Sequence, residues 1–183
     1  MTNDQLQFNE EQRERAEAYD NALAENPELQ QGIEELTTAL SAGQLCLAQI
    51  GGFGETELEG GYKAAVSLLE SDMAAKGLKV VGTLLTLNPT IAKYYRLAGI
   101  ALHRLKYYEL ADGYYDIALA IDPDDPIAKL YRGECHLFME KRASGRKLLE
   151  EGIAQAEGSP ELHSIVQRAR AIAQALGVPL NGQ

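Results

Sequence analysis

A repeat period of about 34 residues constrains this chain more than any other feature of its sequence. Pro89 and Pro123 are one period apart, and four further columns of similar residues keep the same spacing. Periods of about 20 to 50 residues are the signature of stacked supersecondary units. These columns are Ala65, Gly99 and Gly133; Gly77, Ala111 and Gly145; Leu68, Leu102 and His136; and Val81, Tyr115 and Leu149.

The residue types in these columns favour a helical hairpin as the repeating unit. Small residues fall where two helices must approach closely, and larger apolar residues fall where the helices interdigitate. Pro89 and Pro123 end the first two units, since proline is tolerated in the first turn of the next helix. The pattern is that of the tetratricopeptide repeat. Its motif positions are best filled in residues 92–125, by Tyr95, Gly99, Leu102, Ala111, Tyr115, Ala118 and Pro123.

The register predicts an all-α tetratricopeptide-repeat solenoid with N-terminal helices, three repeats and a C-terminal capping helix. The capping helix is expected to cover the open end of the stack, as terminal elements of repeat proteins do. The predicted segments are an acidic N-terminal arm over 1–25, an N-terminal helix and glycine-containing connection over 26–56, three repeats within 57–159 (58–91, 92–125 and 126–159), the capping helix over 160–176 and a tail over 177–183.

Local signals place the individual helices. Thr56 and Glu59 have the spacing of a capping box at the start of the first repeat. Asn88-Pro89, Asp125-Pro126 and Ser159-Pro160 each combine a capping residue with a proline suited to the first helical turn. The predicted helices lie near 57–72, 76–87, 90–105, 108–121, 126–140, 143–156 and 160–176, the last ended by Gly177.

The charge of the chain argues against a nucleic-acid partner. The formal net charge is −10, and residues 1–62 carry 13 acidic and 2 basic side chains. Binding to phosphates requires a clustered positive surface, which this sequence lacks. No stretch approaches the roughly 20 apolar residues of a membrane span, and the first residues are polar and acidic, unlike a signal peptide. We therefore expect a cytoplasmic protein that does not insert into membranes.

Motifs for catalysis or for metal binding are missing from the sequence. The three histidines are dispersed, and there is no serine nucleophile elbow, Walker loop or HExxH motif. Cys135 and His136 are adjacent, but neighbours on a helix point about 100° apart and do not face each other. The sequence therefore predicts no enzyme, no catalytic residue, no metal site and no cofactor.

A stack of helical hairpins offers a concave surface, lined by the first helix of each unit, that suits an extended peptide. The lining predicted here is mostly apolar with a basic middle, and an exposed apolar groove is usually an interaction site. Individual apolar members could instead pack only against neighbouring helices. The predicted groove residues are Tyr62, Val66, Leu69, Lys93, Arg96, Ile100, His103, Arg104, Ile127, Leu130, Glu134, Leu137 and Phe138.

Two segments resemble the class II chaperones of bacterial type III secretion, the tetratricopeptide proteins that hold translocator subunits. The run ALSAGQLCLAQIGGFGETELEGGYKAAVSLL has the family's layout of N-terminal helix, glycine-containing segment and apolar stretch before the first repeat. The run GECHLFMEKRASGRKLLEEGI at 133–153 is similar to the family's third repeat. The resemblance spans about residues 34–176, and Tyr62 and Leu69 match aromatic or apolar positions of the family.

The resemblance implies a cytoplasmic bacterial chaperone that binds an extended Pro- and Leu-containing segment of a hydrophobic translocator and keeps it soluble before secretion. It also implies a homodimer through the N-terminal helix, although packing of that helix on the first repeat explains the same apolar stripe. A general tetratricopeptide adaptor and a subunit of a larger assembly are the alternative functions. The candidate dimer face is Leu29, Ile33, Leu36 and Leu40.

Overall fold

Every regular element in residues 46–180, the part of the chain that the computed structural model describes, is a helix. This confirms the predicted all-α class. None of these helices is long and apolar enough to cross a membrane. The helices are α1 (Leu47–Ile50), α2 (Glu55–Glu70), α3 (Ala74–Leu87), α4 (Ala92–Arg104), α5 (Tyr108–Ile121), α6 (Pro126–Phe138), α7 (Arg142–Gln155) and α8 (His163–Ala175), with a 3₁₀ turn at Pro160–Leu162 before α8.

Helices α2 to α7 form three consecutive hairpins. The two helices of each hairpin pack on each other, and the first helices α2, α4 and α6 also contact one another in chain order. Helix α8 packs on α6 and so occupies the place of a fourth first helix. The arrangement confirms the tetratricopeptide stack with its capping helix. The predicted arm over 1–25 and the N-terminal helix that follows it lie outside the described residues.

The turn inside each hairpin uses the same backbone conformation. Asp72, Lys106 and Glu140 adopt φ angles of 59°, 64° and 61°, and they form one more column of the repeat. This left-handed region costs an L-residue roughly 1 to 2 kcal/mol. Each repeat therefore carries the same local strain, which the packing of its two helices must offset.

The columns of small residues lie at the close approach of the paired helices, as the period predicts. A Cβ atom added to Gly99 on α4 would lie 2.5 Å from the ring of Tyr115 on α5. In the third hairpin, a Cβ on Gly133 would lie 2.8 Å from the side chain of Leu149. Tyr115 and Leu149 are fully buried and have little room to move aside.

Only one of the three expected proline-linked caps is present as predicted. Asp125 caps α6, because its Oδ1 accepts hydrogen bonds from the backbone N–H groups of Ile127 (2.9 Å) and Ala128 (3.1 Å). Asn88 instead ends α3 and accepts from Thr90, so that α4 begins at Ala92. Ser159 makes no side-chain cap, since a 3₁₀ turn precedes α8.

The predicted capping box at the first repeat is also displaced. Helix α2 begins at Glu55, before Thr56, and its N-cap is Gly54. The carboxylate of Glu57 accepts a hydrogen bond of 3.0 Å from the backbone N–H of Gly54. In a capping box, the side chain of the third helical residue accepts a hydrogen bond from the backbone N–H of the N-cap. Here Glu57 accepts that bond from Gly54, which lies two residues before the predicted cap Thr56.

Three apolar clusters follow one another along the stack. The first joins α2 and α3 to α4, the second joins α4 and α5 to α6, and the third lies among α6, α7 and α8. Val178 and Leu180 complete the third cluster and are 4% and 5% exposed. The segment that the sequence assigns to the tail thus takes part in the core that holds the capping helix.

We expect Gly99→Ala to destabilise the protein, whereas Gly113→Ala stabilises it. Both changes gain about 1 kcal/mol of helix propensity. At Gly99 the new methyl group would overlap the buried ring of Tyr115, and overpacking costs roughly 1 to 3 kcal/mol. Apart from the backbone of its own helix and its chain neighbours, no described atom lies within 4 Å of a Cβ at Gly113. Urea denaturation of both variants measures the difference, and equal stabilisation by both would contradict the close approach of α4 and α5.

Candidate functional site

The thirteen predicted groove residues lie on α2, α4 and α6, and we call this side of the three helices the first-helix face. Four of them are buried between helices, namely Leu69, Leu130, Glu134 and Leu137. The other nine keep exposed surface and could meet a ligand. The candidate dimer residues Leu29, Ile33, Leu36 and Leu40 lie outside the described residues.

An ion pair and two aromatic rings form the end of the face that belongs to the first two repeats. Lys93 Nζ lies 2.6 Å from Glu59 Oε2 and 4.7 Å from the ring centre of Tyr62. Tyr62 in turn lies 6.1 Å from Tyr94, measured between ring centres. The hydrogen bond from Lys93 lowers the pKa of Glu59, and the same bond raises the pKa of Lys93. Tyr94 is buried, so this end offers the half-buried ring of Tyr62 beside a paired cation.

Arg96 ties the second repeat to the third. Its Nη1 donates to Asp125 Oδ2 at 2.5 Å, and Asp125 is the buried cap of α6. Burial is the largest single effect and disfavours the charge of Arg96. The negative charge of Asp125, together with the hydrogen bonds of Arg96 to Tyr62 and Asp125, outweighs burial, and the pKa of Arg96 is raised. The same carboxylate thus caps one first helix and holds a cation on the preceding one.

Arg104 ties the second repeat back to the first. Its Nη1 donates a hydrogen bond to the backbone carbonyl oxygen of Leu69, near the end of α2. Lys93, Arg96 and Arg104 make up the predicted basic middle together with His103, and all three have partners in a neighbouring repeat or at its cap. Their charges serve contacts within the protein, and the face is therefore less basic than the sequence suggests.

Four rings meet at the other end of the face, where α4, α5 and α6 come together. Tyr108 and Phe138 stack at 4.7 Å between ring centres. His103 lies 5.4 Å from Tyr108, 5.4 Å from Tyr131 and 5.9 Å from Phe138. Phe138 remains 38% exposed. We call His103, Tyr131 and Phe138 on the first helices, together with Tyr108 at the start of α5, the aromatic end of the first-helix face.

Arg168 joins the capping helix α8 to α6 at the aromatic end. It donates to Glu134 Oε1 through Nη2 (3.0 Å) and Nε (3.2 Å), and to the hydroxyl of Tyr131 at 2.8 Å. Its guanidinium carbon also lies 4.0 Å from the ring centre of Tyr131. The sequence reading missed Arg168. The repeat spacing could have indicated this ion pair. Arg168 follows Glu134 by one repeat period, just as Lys93 follows Glu59.

Three buried side-chain polar atoms lack hydrogen-bond partners among the described residues, namely Glu134 Oε2, His103 Nε2 and the hydroxyl oxygen of Tyr115. Glu134 Oε2 and His103 Nε2 lie 3.6 Å apart beneath the aromatic end. Burial raises the pKa of Glu134 to about 7, although Arg168 opposes the rise. Burial, followed by the positive charges of Arg168 and Arg104, lowers the pKa of His103 to about 4. His103 is therefore neutral near pH 7.

Comparisons with known proteins give structural matches without sequence matches. No protein-family model and no curated protein sequence matches the chain. Among solved structures, a T3SS complex from Aeromonas hydrophila is similar with a TM-score of 0.69 and 19% identity, over 79% of this chain and 95% of that chain. The type III secretion translocator chaperone SycD of Yersinia enterocolitica is similar with a TM-score of 0.63 and 20% identity, over 71% and 97% of the two chains.

A third similar structure is PcrH of Pseudomonas aeruginosa in complex with the chaperone-binding region of PopD. Its TM-score is 0.61 and its identity 23%, over 69% of this chain and 95% of that chain. The chain has the fold of the type III secretion translocator chaperones. At these identities the similarity establishes the fold, and it agrees with the fold that the sequence resemblance implies.

Glu134→Gln should change how the stability of the protein depends on pH. Because the pKa of Glu134 is raised from 4.5 to about 7, the folded state holds this proton more tightly than the unfolded chain does. The stabilisation is complete below pH 4.5 and is lost as the pH rises through about 7. We expect the free energy of unfolding of the wild type, relative to the variant, to fall by roughly 1 to 3 kcal/mol over this window.

Urea denaturation of both proteins at several pH values between about 4.5 and 7.5 measures this difference. The lowered pKa of His103 gives the opposite dependence, but His103 is present in both proteins. A difference that stays constant or increases with pH would contradict the assignment of a proton to the buried Glu134.

Proposed function

We propose that this protein is a chaperone of a bacterial type III secretion system. It binds an extended segment of a hydrophobic translocator along the first-helix face and keeps the translocator soluble in the cytoplasm before secretion. The observation that carries the proposal is the aromatic end of this face, which is partly exposed on a fold shared with SycD and PcrH. PcrH has been solved with the chaperone-binding region of PopD.

The chemistry of the face favours an apolar ligand. Tyr62, Ile100, Ile127 and Phe138 all keep exposed surface on the first helices. An extended segment that places a few apolar side chains on this surface excludes water from them, and a few such anchors carry most of the binding energy of an interface. The protein would act by binding alone, without catalysis.

The ion pairs of Lys93 and Arg96 favour a chaperone over a general adaptor that binds the carboxylate of its ligand. A carboxylate ligand needs free cationic donors at its binding site. Lys93 and Arg96 already bind Glu59 and Asp125, at 2.6 and 2.5 Å. A ligand carboxylate would have to displace one of these internal partners, whereas an apolar segment leaves both ion pairs in place.

Co-expression with the translocator proteins encoded beside its gene tests the proposal. We expect the wild type to yield a soluble complex with at least one of them, and Phe138→Asp to weaken the affinity at least about tenfold, because a charge replaces an apolar anchor. The affinity of the purified complexes is measured by calorimetry. Failure of the wild type to solubilise any of these translocators would overturn the proposed function.

Ile117→Asp is the matched control. Ile117 lies on α5, the second helix of its hairpin and outside the first-helix face, and it is 45% exposed compared with 38% for Phe138. The same change of an exposed apolar side chain to a carboxylate there should leave the affinity within about twofold. Equal losses in both variants, or a loss in Ile117→Asp alone, would show that the ligand does not bind on the first-helix face.

A further inference from the structure

The two nitrogens of the His103 ring have different surroundings. Nε2 is buried and faces Glu134 Oε2 at 3.6 Å. The side chain as a whole keeps 12% of its surface exposed at the aromatic end. Because Nε2 is buried, Nδ1 is the only ring nitrogen left for a ligand on the first-helix face to contact.

The surroundings of Glu134 determine which of these nitrogens carries the hydrogen. Both hydrogen bonds from Arg168 go to Oε1, and Oε2 has no donor among the described residues. An ionised carboxylate only accepts hydrogen bonds, whereas a neutral imidazole has one N–H donor and one acceptor. A hydrogen on Nε2 points at Oε2 and attracts it, but a lone pair on Nε2 would face the lone pairs of Oε2. The hydrogen is thus favoured on Nε2, which leaves the lone pair on Nδ1.

We propose that Nδ1 of His103 accepts a hydrogen bond from one backbone N–H group of the bound segment, and that Glu134 is the positioning residue that keeps the ring hydrogen on Nε2. The proposal rests on the proposed function, since it concerns the segment that binds to the first-helix face. An extended segment has unpaired backbone N–H groups, and burying one of them without a partner is costly. A single acceptor among apolar rings therefore selects the register in which the segment lies.

Other charged and titratable groups also face this pair. They are Arg104 on α4, Tyr108 and Tyr115 on α5, Tyr131 and Cys135 on α6, and Arg168 on α8. Burial and the two arginines keep His103 neutral above about pH 4, its lowered pKa. Glu134 becomes protonated as the pH falls through about 7, its raised pKa. Its new O–H then donates to His103 Nε2, and the ring hydrogen moves to Nδ1. Nδ1 then carries a hydrogen and can no longer accept the hydrogen bond from the segment, so the binding of the segment should weaken.

Nitrogen-15 NMR of the free protein tests the hydrogen position without any ligand. At pH 8 we expect the chemical shift of His103 Nδ1 to be that of an unprotonated ring nitrogen, and the shift of Nε2 to be that of an N–H. In Glu134→Gln the amide oxygen can keep Arg168 while the amide NH₂ group faces Nε2, and the two shifts should exchange. Titration of the wild type below pH 7 should produce the same exchange, which keeps the test valid if the variant does not fold. A hydrogen on Nδ1 at pH 8 would overturn the proposal.

A binding experiment tests the contact with the ligand. The probe is a synthetic peptide of the translocator segment that co-purifies with the wild type, together with a series in which one backbone N–H at a time is N-methylated. At one position, methylation should weaken the binding of the peptide to the wild type. The loss should be about fivefold to tenfold greater than the loss that the same methylation causes with His103→Leu, because one net hydrogen bond contributes about this much. His103→Asn, which has an amide oxygen to place near the position of Nδ1, should restore part of this sensitivity.

The outcomes separate this proposal from the proposed function. If the peptide binds and no methylated position distinguishes wild type from His103→Leu, then the hydrogen bond is wrong and the chaperone function stands. If no translocator co-purifies with the wild type, then the chaperone function is wrong, and the role of His103 in ligand binding falls with it.

Discussion

The close approach of two helices at residues without side chains is the constraint on which the rest of this structure depends. Gly99 brings α4 onto the ring of Tyr115, and Gly133 brings α6 onto Leu149. Because the same approach recurs from one repeat to the next, each hairpin stacks on its neighbour with its first helix on the same side. The first-helix face is a consequence of this repeated geometry, and so is the place of α8 at the end of the stack.

The contacts between repeats combine apolar packing with ion pairs, whereas the contacts within a hairpin depend on the fit of small and large side chains. Two ion pairs join neighbouring helices on this side of the stack, Glu59 with Lys93 and Glu134 with Arg168. In each pair the two residues are one repeat period apart. The exposed Glu59–Lys93 pair contributes little stability. Glu134 is fully buried, and leaving its charge without Arg168 would be costly. The buried pair therefore makes the docking of α8 specific, while the apolar surface nearby remains free for a ligand.

The period predicted the fold because it reports packing that is repeated three times. The columns of small residues, the hairpins and the capping helix all follow from it. Helix starts were predicted less well, since local capping signals compete with tertiary packing: Asn88 resembles a cap in sequence, yet it ends α3. The predicted site residues are on the first helices, but Leu69, Leu130, Glu134 and Leu137 are buried. Single-helix periodicity cannot tell a ligand-facing residue from one covered by the next repeat.

We propose that the first-helix face, with its aromatic end, binds an extended translocator segment. Site-specific photo-crosslinking of the co-expressed complex tests it most directly, with a benzophenone side chain placed in turn at Phe138 on α6 and at Ile117 on α5. The account predicts crosslinks from position 138 to one short translocator segment and none from position 117. Crosslinks from position 117 alone would contradict it.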